Sequence, residues 1–290
     1  MSRKKAYPAL LPPMMVSDAV RVALAEDLGL AGDLTTQATI APDATAVAVM
    51  NAREDGIIAG MDLARAAFAE IGPGLVFEPF VTDGAHVKAG AKIAEISGNA
   101  RLILSAERVA LNFLMRLCGI ATHTGRFVEA IGDSHAHVCD TRKTTPGLRA
   151  FEKYAVRCGG GHNHRYGLDD AILIKDNHIA VAGGVRQVIE ATRAFAGHLV
   201  SVEIEVDNLD QLEEALDADA DAVLLDNMDA ATLKKAVAIN KGRAKLEASG
   251  GVDLDTIGAI AKTGVDYIST SKITMAAPPL DIGLDIDIRA

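Results

Sequence analysis

A chain of 290 residues, 49% apolar and 23% charged, has the make-up of a globular protein long enough for one full barrel or two domains with their own cores. Its formal charge of -10 and isoelectric point near 5.3 argue against a nucleic-acid binder, which needs a basic surface. No apolar run approaches the roughly 18 residues of a membrane span, and Cys118, Cys139 and Cys158, odd in number and widely spaced, suit neither a disulfide framework nor a structural zinc site.

These features together lead us to expect a cytoplasmic, enzyme-like protein. The basic residues Arg3, Lys4 and Lys5 lead into a stretch broken by Pro8, Pro12 and Pro13, so no secretory signal is expected. A helix follows over 17–28, then strand-like stretches at 46–53, 57–59, 76–81 and 92–97. The segment 83–90, with Asp83, Gly84 and Gly90, resembles the tight turn of lipoyl and biotinyl modules. No exposed acceptor lysine follows it in hairpin context, so a hammerhead-like or sandwich sheet is the expectation rather than a carrier. A long helix is predicted over 105–117, with Ser105 as N-cap and Glu107 in the first turn. Its apolar residues Val109, Leu111, Phe113, Leu114 and Leu117 cover much of the circumference, which implies burial.

Beyond it, a short apolar run halting on a polar residue recurs at 171–175, 202–206, 222–226, 245–249 and 267–271. With an opening strand over 138–140 this makes six strands. The spacers carry helical stripes: Val185, Val188, Ile189, Thr192 and Phe195; Leu209, Leu212, Ala215 and Leu216; Leu254, Ile257, Ile260 and Ala261. Buried parallel strands alternating with helices predict an α/β fold, an incomplete parallel α/β barrel, behind an N-terminal α/β sandwich. The domains are expected at 1–110 and 111–277. The alternating tail 278–290 is expected to return to the first.

Reactive side chains in such barrels sit at the strand C-termini. After the first strand, Asp140, Thr141, Arg142 and Lys143 open a Thr/Gly/Pro loop running to Arg149, a pattern suited to an anion. Three glycines at 159–161 precede His162, His164 and Arg165. The i,i+2 histidines make a poor metal pair, and hydrogen bonding of a carboxylate by His164 and Arg165 is the better use. Lys175 ends its strand at the rim, where a lysine needs a partner, a lowered pKa or a Schiff base; neighbouring Asp176 points the other way. Glu203 and Glu205 share a face, Asp226 ends the next strand, and Glu203 is given no ligand role. Ser249, Gly250 and Gly251, with Ser269, Thr270 and Ser271, have the small side chains and backbone N–H groups of a phosphate cradle.

In combination and order, these motifs resemble those of the quinolinate phosphoribosyltransferase family. They are the run 140–149, Gly160 to Arg165, Ile174 to His178, Val202 to Val206, Leu225 to Asn227 and Ala248 to Gly251, with Glu26 to Gly29 and Gly32 to Thr36 near the start. The likeness spans nearly the whole chain. It implies transfer of phosphoribosyl from phosphoribosyl pyrophosphate to quinolinate with Mg²⁺, giving nicotinate mononucleotide, pyrophosphate and CO₂ for NAD biosynthesis.

It also implies a homodimer with shared active sites, each N-terminal domain covering its partner's barrel mouth; stacking into hexamers is left open. Carried over by position, Arg142, His164, Arg165 and Lys175 match quinolinate-binding residues, Thr141 lies among them, and Arg108 matches an arginine lent by the neighbouring subunit. Lys143 matches a lysine near the reacting groups, and Glu205 and Asp226 match acids near the ribose. Lys143, Lys175, Glu205 and Asp226 are thus the implied catalytic set. Mg²⁺ would be held mainly by substrate, with Glu205 and Asp226 as protein donors. The chain departs from the family pattern at Ser271, often glycine, and at Met275, often histidine; Lys272 is placed to compensate. A related transferase using another base, a Schiff-base aldolase on Lys175 and a lipoyl-like carrier are the alternatives. The number of cations favours a diacid over a monocarboxylate and argues against the aldolase, and the carrier leaves the strand-end residues unexplained.

Overall fold

A computed structural model describes residues 10–289; the basic residues at 3–5 and the proline at 8 lie outside the described residues. In chain order the first elements are α1 (Pro13–Leu28), α2 (Leu34–Thr39), β1 (Thr45–Ala52), β2 (Gly56–Ile57), α3 (Met61–Glu70), β3 (Val76–Pro79), β4 (His86–Val87), β5 (Lys92–Asn99) and α4 (Ala100–Ala130). Then come β6 (His137–Cys139), α5 (Arg149–Cys158), β7 (Ile172–Ile174), α6 (Asp176–Ala182), α7 (Val185–Phe195), β8 (Val202–Val206), α8 (Leu209–Asp217), β9 (Ala222–Asp226) and α9 (Ala230–Asn240). Last are β10 (Lys245–Ser249), α10 (Ile257–Ala261), β11 (Tyr267–Ser269), α11 (Lys272–Met275) and β12 (Ile282–Arg289). The chain forms two compact units. One comprises the chain to His123, Ala150–Gly160 and the stretch from Ala277; the other comprises Thr124–Arg149 and Gly161–Ala276.

The first unit is built on an antiparallel sheet ordered β12-β1-β5-β3. Alternation in β1 buries Ala46, Ala48, Met50 and Ala52 on one face, as a half-buried strand requires. The strand from the far end of the chain pairs with β1 in register from Thr45–Arg289 to Ala52–Ile282. β2 and β4 form a separate two-stranded ribbon. The lipoyl-like turn before β4 is structural: Asp83 accepts hydrogen bonds from the backbone of Gly60 and Met61 and, at 2.7 Å, from the Tyr154 hydroxyl. Burial raises its pKa above the usual carboxylate range.

The expected helix start at Ser105 is corrected. Helix α4 begins at Ala100, where Asn99 Oδ1 accepts from the Leu102 N–H, and Ser105 lies inside it with its hydroxyl on Asp33. The helix start is marked by the Asn99 side chain in the preceding strand and not by a residue of the helix itself.

The second unit carries six parallel strands ordered β6-β11-β10-β9-β8-β7. Among the described residues β6 and β7 do not pair, so the barrel stays open, as expected. One lone parallel bridge, Cys139 to His162, extends the β6 edge. Buried Ile174, Ile204, Val223, Leu225, Leu246 and Ile268 occupy one face of these strands, and the alternate positions face the opening. The helical stripes hold for Val185, Val188, Ile189, Leu212, Ala215 and Leu216, but Phe195 and Leu254 are exposed. Each sits at or beyond an end of its helix, where the stripe no longer meets the sheet.

Gly119, in the middle of α4, is explained by packing in the first unit. A Cβ there would collide with the backbone of Pro278 and Pro279, next to the hydrogen bond from Leu280 N–H to Met115 O that seats the chain leading into β12. Substituting Gly119→Ala is expected to cost about 1–3 kcal/mol through overpacking, despite alanine's better helix propensity. Chemical denaturation followed by circular dichroism measures this; equal or greater stability would show that the tail moves aside freely.

Candidate active site

The strand C-termini of the second unit surround a cavity of about 760 Å³, within the range of small-molecule sites. Thr141, Arg142 and Lys143 line it from the loop after β6, His164 and Arg165 from the loop before β7, and Lys175 from the end of β7. Glu205 and Asp226 come from β8 and β9, Ser249 to Gly251 from the end of β10, and Ser269 to Ser271 from the end of β11. Arg108, on α4 of the first unit, is not among the lining residues. Met275 is exposed at the end of α11 and does not line the cavity either, whereas Lys272 does.

The local reasons are specific. Asp140 is fully buried and accepts from His164 N–H at 2.9 Å and from Asn163 Nδ2 at 2.6 Å, which folds the 161–165 loop back over β6. Arg165 Nη1 donates to Ala171 O at 3.0 Å. The Nε atoms of both Arg142 and Arg165 are buried without a hydrogen-bond partner. Burial, and then the charge of Arg142, lower the pKa of Arg165. Two crowded guanidinium groups with unmet donors are an unfinished anion site.

Lys175 pairs with Glu205 at 2.6 Å rather than with Asp176, and its side chain is 45% exposed. It is a rim lysine held by an acid on the next strand. The carboxylate of Asp226 accepts from Asn227 Nδ2 at 2.6 Å. Asn227 in turn stands against Gly250, whose φ of +90° no other residue type adopts without strain. His164 turns both ring nitrogens to protein groups: Nδ1 accepts from the Arg165 N–H at 2.7 Å, and Nε2 faces Glu203 Oε2 at 2.9 Å.

Sequence reasoning missed Glu247, which lines the cavity floor from the middle of β10, and gave Glu203 no role. The available signal was alternation: Glu247 shares a face with Ser249, as Glu203 does with Glu205. Asn227 and Asp140 lay within recognised motifs without an assigned task.

A family model described as quinolinate phosphoribosyl transferase, C-terminal domain, matches residues 120–285, and its N-terminal counterpart matches 33–118. The chain belongs to the quinolinate phosphoribosyltransferase family. It is 42% identical to a probable nicotinate-nucleotide pyrophosphorylase (carboxylating) of Bacillus subtilis, over 91% of this chain and 90% of that one. It is also 42% identical to a mitochondrial quinolinate phosphoribosyltransferase (decarboxylating) of Nicotiana tabacum, over 97% of this chain and 84% of the relative.

Among solved structures, NadC from Streptococcus pyogenes superposes with a TM-score of 0.94 at 40% identity, covering 97% of this chain and all of that one. The nicotinate-nucleotide pyrophosphorylase of Francisella tularensis gives 0.93 at 42% identity, covering 98% and 100%. The antiparallel-sheet unit and the six-stranded parallel unit are thus those of NadC structures. Ser271 and Lys272 both line the cavity.

Gly250→Ala is expected to destabilise the protein by about 1–3 kcal/mol, from the left-handed backbone and the collision with Asn227 together. Adding Asn227→Gly should recover only the side-chain part of the collision, since the Asn227 backbone N also stands 2.9 Å from the added Cβ. Thermal unfolding of the single and double variants measures both parts, and an unaffected single variant would show that this loop does not need glycine.

Proposed function

We infer that the cavity holds quinolinate and phosphoribosyl pyrophosphate side by side and joins them with loss of CO₂, yielding nicotinate mononucleotide and pyrophosphate for NAD biosynthesis. The observation that carries this is the pair of buried, unpartnered guanidinium Nε atoms of Arg142 and Arg165, beside Lys175. Quinolinate has two adjacent carboxylates, and a site for it needs several cations at once. Arg142, Arg165 and Lys175 take them with His164 alongside, and Arg108 completes the set from a second copy of the chain in a homodimer.

The phosphoribosyl half lies along the strand ends from β9 to β11. Backbone N–H groups at Gly250, Gly251 and Ser271 receive its phosphate beside the small side chains of Ser249, Ser269 and Thr270, whose own N–H is donated to Cys139 O, and Thr141 and Lys143 face the pyrophosphate. Glu205 and Asp226 bind ribose hydroxyls and offset the positive charge that develops at C1. The ring nitrogen attacks C1 as the C–O bond to pyrophosphate breaks and its electron pair leaves with pyrophosphate. The pyridinium so formed draws in the electron pair of the breaking ring–carboxylate bond. CO₂ departs, and a proton replaces it on the ring carbon. The pair left on the ring carbon takes that proton from water, and Lys143 and Lys175 are the ammonium groups available to steady its negative charge until then.

The oxygen donors on the cavity wall suit a hard cation such as Mg²⁺, which characteristically takes one or two carboxylates and substrate phosphates. Glu205 is engaged by Lys175, so Asp226 is the side chain that would hold it with the substrate's own oxygens. When bound it neutralises charge on the leaving pyrophosphate. Among the described residues no helix is long and apolar enough to cross a membrane. A cytoplasmic setting, where thiols stay reduced, suits the three buried cysteines.

Arg142→Ala should raise KM for quinolinate by about ten- to a hundredfold, the worth of one charge-assisted contact of roughly 1.5–3 kcal/mol. KM for phosphoribosyl pyrophosphate should change far less. Steady-state kinetics with CO₂ release as readout tests this, with nicotinate as the competing base. Unaltered quinolinate kinetics, or equal use of nicotinate, would overturn the reading.

A further inference from the structure

The chemistry above leaves Glu203 and Glu247 without a task, and both lie against His164 at the inner end of the cavity lining. His164, Glu203 and Glu247 bring their donor atoms within 4.8 Å of one another, and their side chains are only 13%, 12% and 8% exposed. Such a cluster first suggests a divalent cation, but the imidazole argues against it. A backbone N–H can only donate, so the bond from Arg165 N to His164 Nδ1 leaves Nδ1 without a proton. The ring's proton is therefore on Nε2, donated to Glu203 Oε2, and Nε2 has no lone pair for a metal.

Glu247 is in a different position. Its Oε1 is buried with no hydrogen-bond partner and lies 3.8 Å from His164 Nε2. The groups that face it come from several elements. Glu203 lies on β8, Tyr267 and Ser269 on β11, Asp140 after β6, and His164 in the loop before β7. Acids outnumber cations there. Burial, and then the charge of Glu203, push the Glu247 pKa up to about 8. The cavity lining as a whole holds five Lys or Arg against three acids, so one proton on Glu247 changes its net charge appreciably.

We propose that Glu203 and Glu247 are positioning residues of the diacid pocket. Glu203 acts through His164 to fix the backbone that presents Arg165. Glu247 stays a neutral carboxylic acid, so that the floor carries one negative charge, not two, beneath a dianionic substrate. The proposal rests on the quinolinate reading above and adds to it how the floor selects a diacid. Three tethers converge on one short loop: Asp140 to the His164 N–H, Asp140 to Asn163, and Glu203 to the imidazole. Removing the last frees the His164 ring and, through its bond to the Arg165 N–H, loosens the guanidinium. Ionising Glu247 leaves the tethers in place but sets a second charge against the substrate.

The test is steady-state kinetics of the full chain with quinolinate, phosphoribosyl pyrophosphate and Mg²⁺ from about pH 6.5 to about 9, for wild type, Glu247→Gln, Glu203→Leu and Glu203→Gln. If binding needs the neutral acid, wild-type KM for quinolinate rises about tenfold from about pH 7 to about 9. KM for the sugar donor should move by less than about twofold. Glu247→Gln, which cannot ionise, flattens that rise. Glu203→Leu raises KM for quinolinate by about tenfold or more with little change for the donor. Glu203→Gln, which still offers Nε2 an acceptor, restores most of it.

A wild-type profile with no alkaline rise, a Glu247→Gln profile that keeps it, or a Glu203→Leu variant that raises both KM values together would overturn the proposal. Should Glu203→Leu not fold, the Glu247→Gln profile decides. The Arg142→Ala result judges the quinolinate reading separately: a flat wild-type profile beside a weakened Arg142→Ala enzyme removes only the role of the floor.

Discussion

Like charges that share one cavity repel each other, and this fold gathers five cations around a single opening in a chain of formal charge -10. Strand alternation is what makes the gathering tolerable. On the faces that look into the opening, the sheet also places Glu203, Glu205, Asp226 and Glu247. Lys175 is neutralised directly by Glu205, and Glu203 acts by way of His164. Arg142 and Arg165 keep buried donors unmet. The remaining attraction for an anion is therefore concentrated on the two guanidinium groups and not spread evenly over the rim. A ligand with paired carboxylates meets that demand in one binding event.

The parallel sheet was readable because strands covered on both faces appear as short apolar runs, and most of the runs here stop on the residue that reaches the opening, the exception being 202–206, where Glu205 reaches it one position before the end. That is why Lys175, Asp226 and Ser249 could be placed before any coordinates. The α4 start could not, because the side chain that marks it is an asparagine in the preceding strand, while the serine that looks like a cap lies inside the helix. Phe195 and Leu254 fit their helical periods, yet Phe195 is the last residue of α7 and Leu254 lies before α10 begins, and both are exposed. Periodicity reports a face and not the extent of what covers it.

Glu247 shows a different limit. An acid in the middle of a strand looks like an interruption, and its meaning depends on a histidine more than eighty positions away in the chain (roughly, by residue number) that only the fold brings near. Arg108 poses a related problem. Its match to a site residue involves a second molecule, and nothing in a single chain's pattern of apolar and polar positions encodes that. By contrast, the Asn227 and Gly250 contact could have been anticipated from the two glycines after a strand, since such pairs usually mark backbone that must turn sharply.

The pairing of β12 with β1 has a consequence for biosynthesis. On the ribosome, the residues of β1 emerge early, but their edge partner emerges only after the whole parallel unit has been translated. Until then the nascent β1 edge presents unpaired N–H and C=O groups, the kind of surface on which growing chains stick to one another. The first unit's sheet can thus close only after the intervening parallel unit has been made.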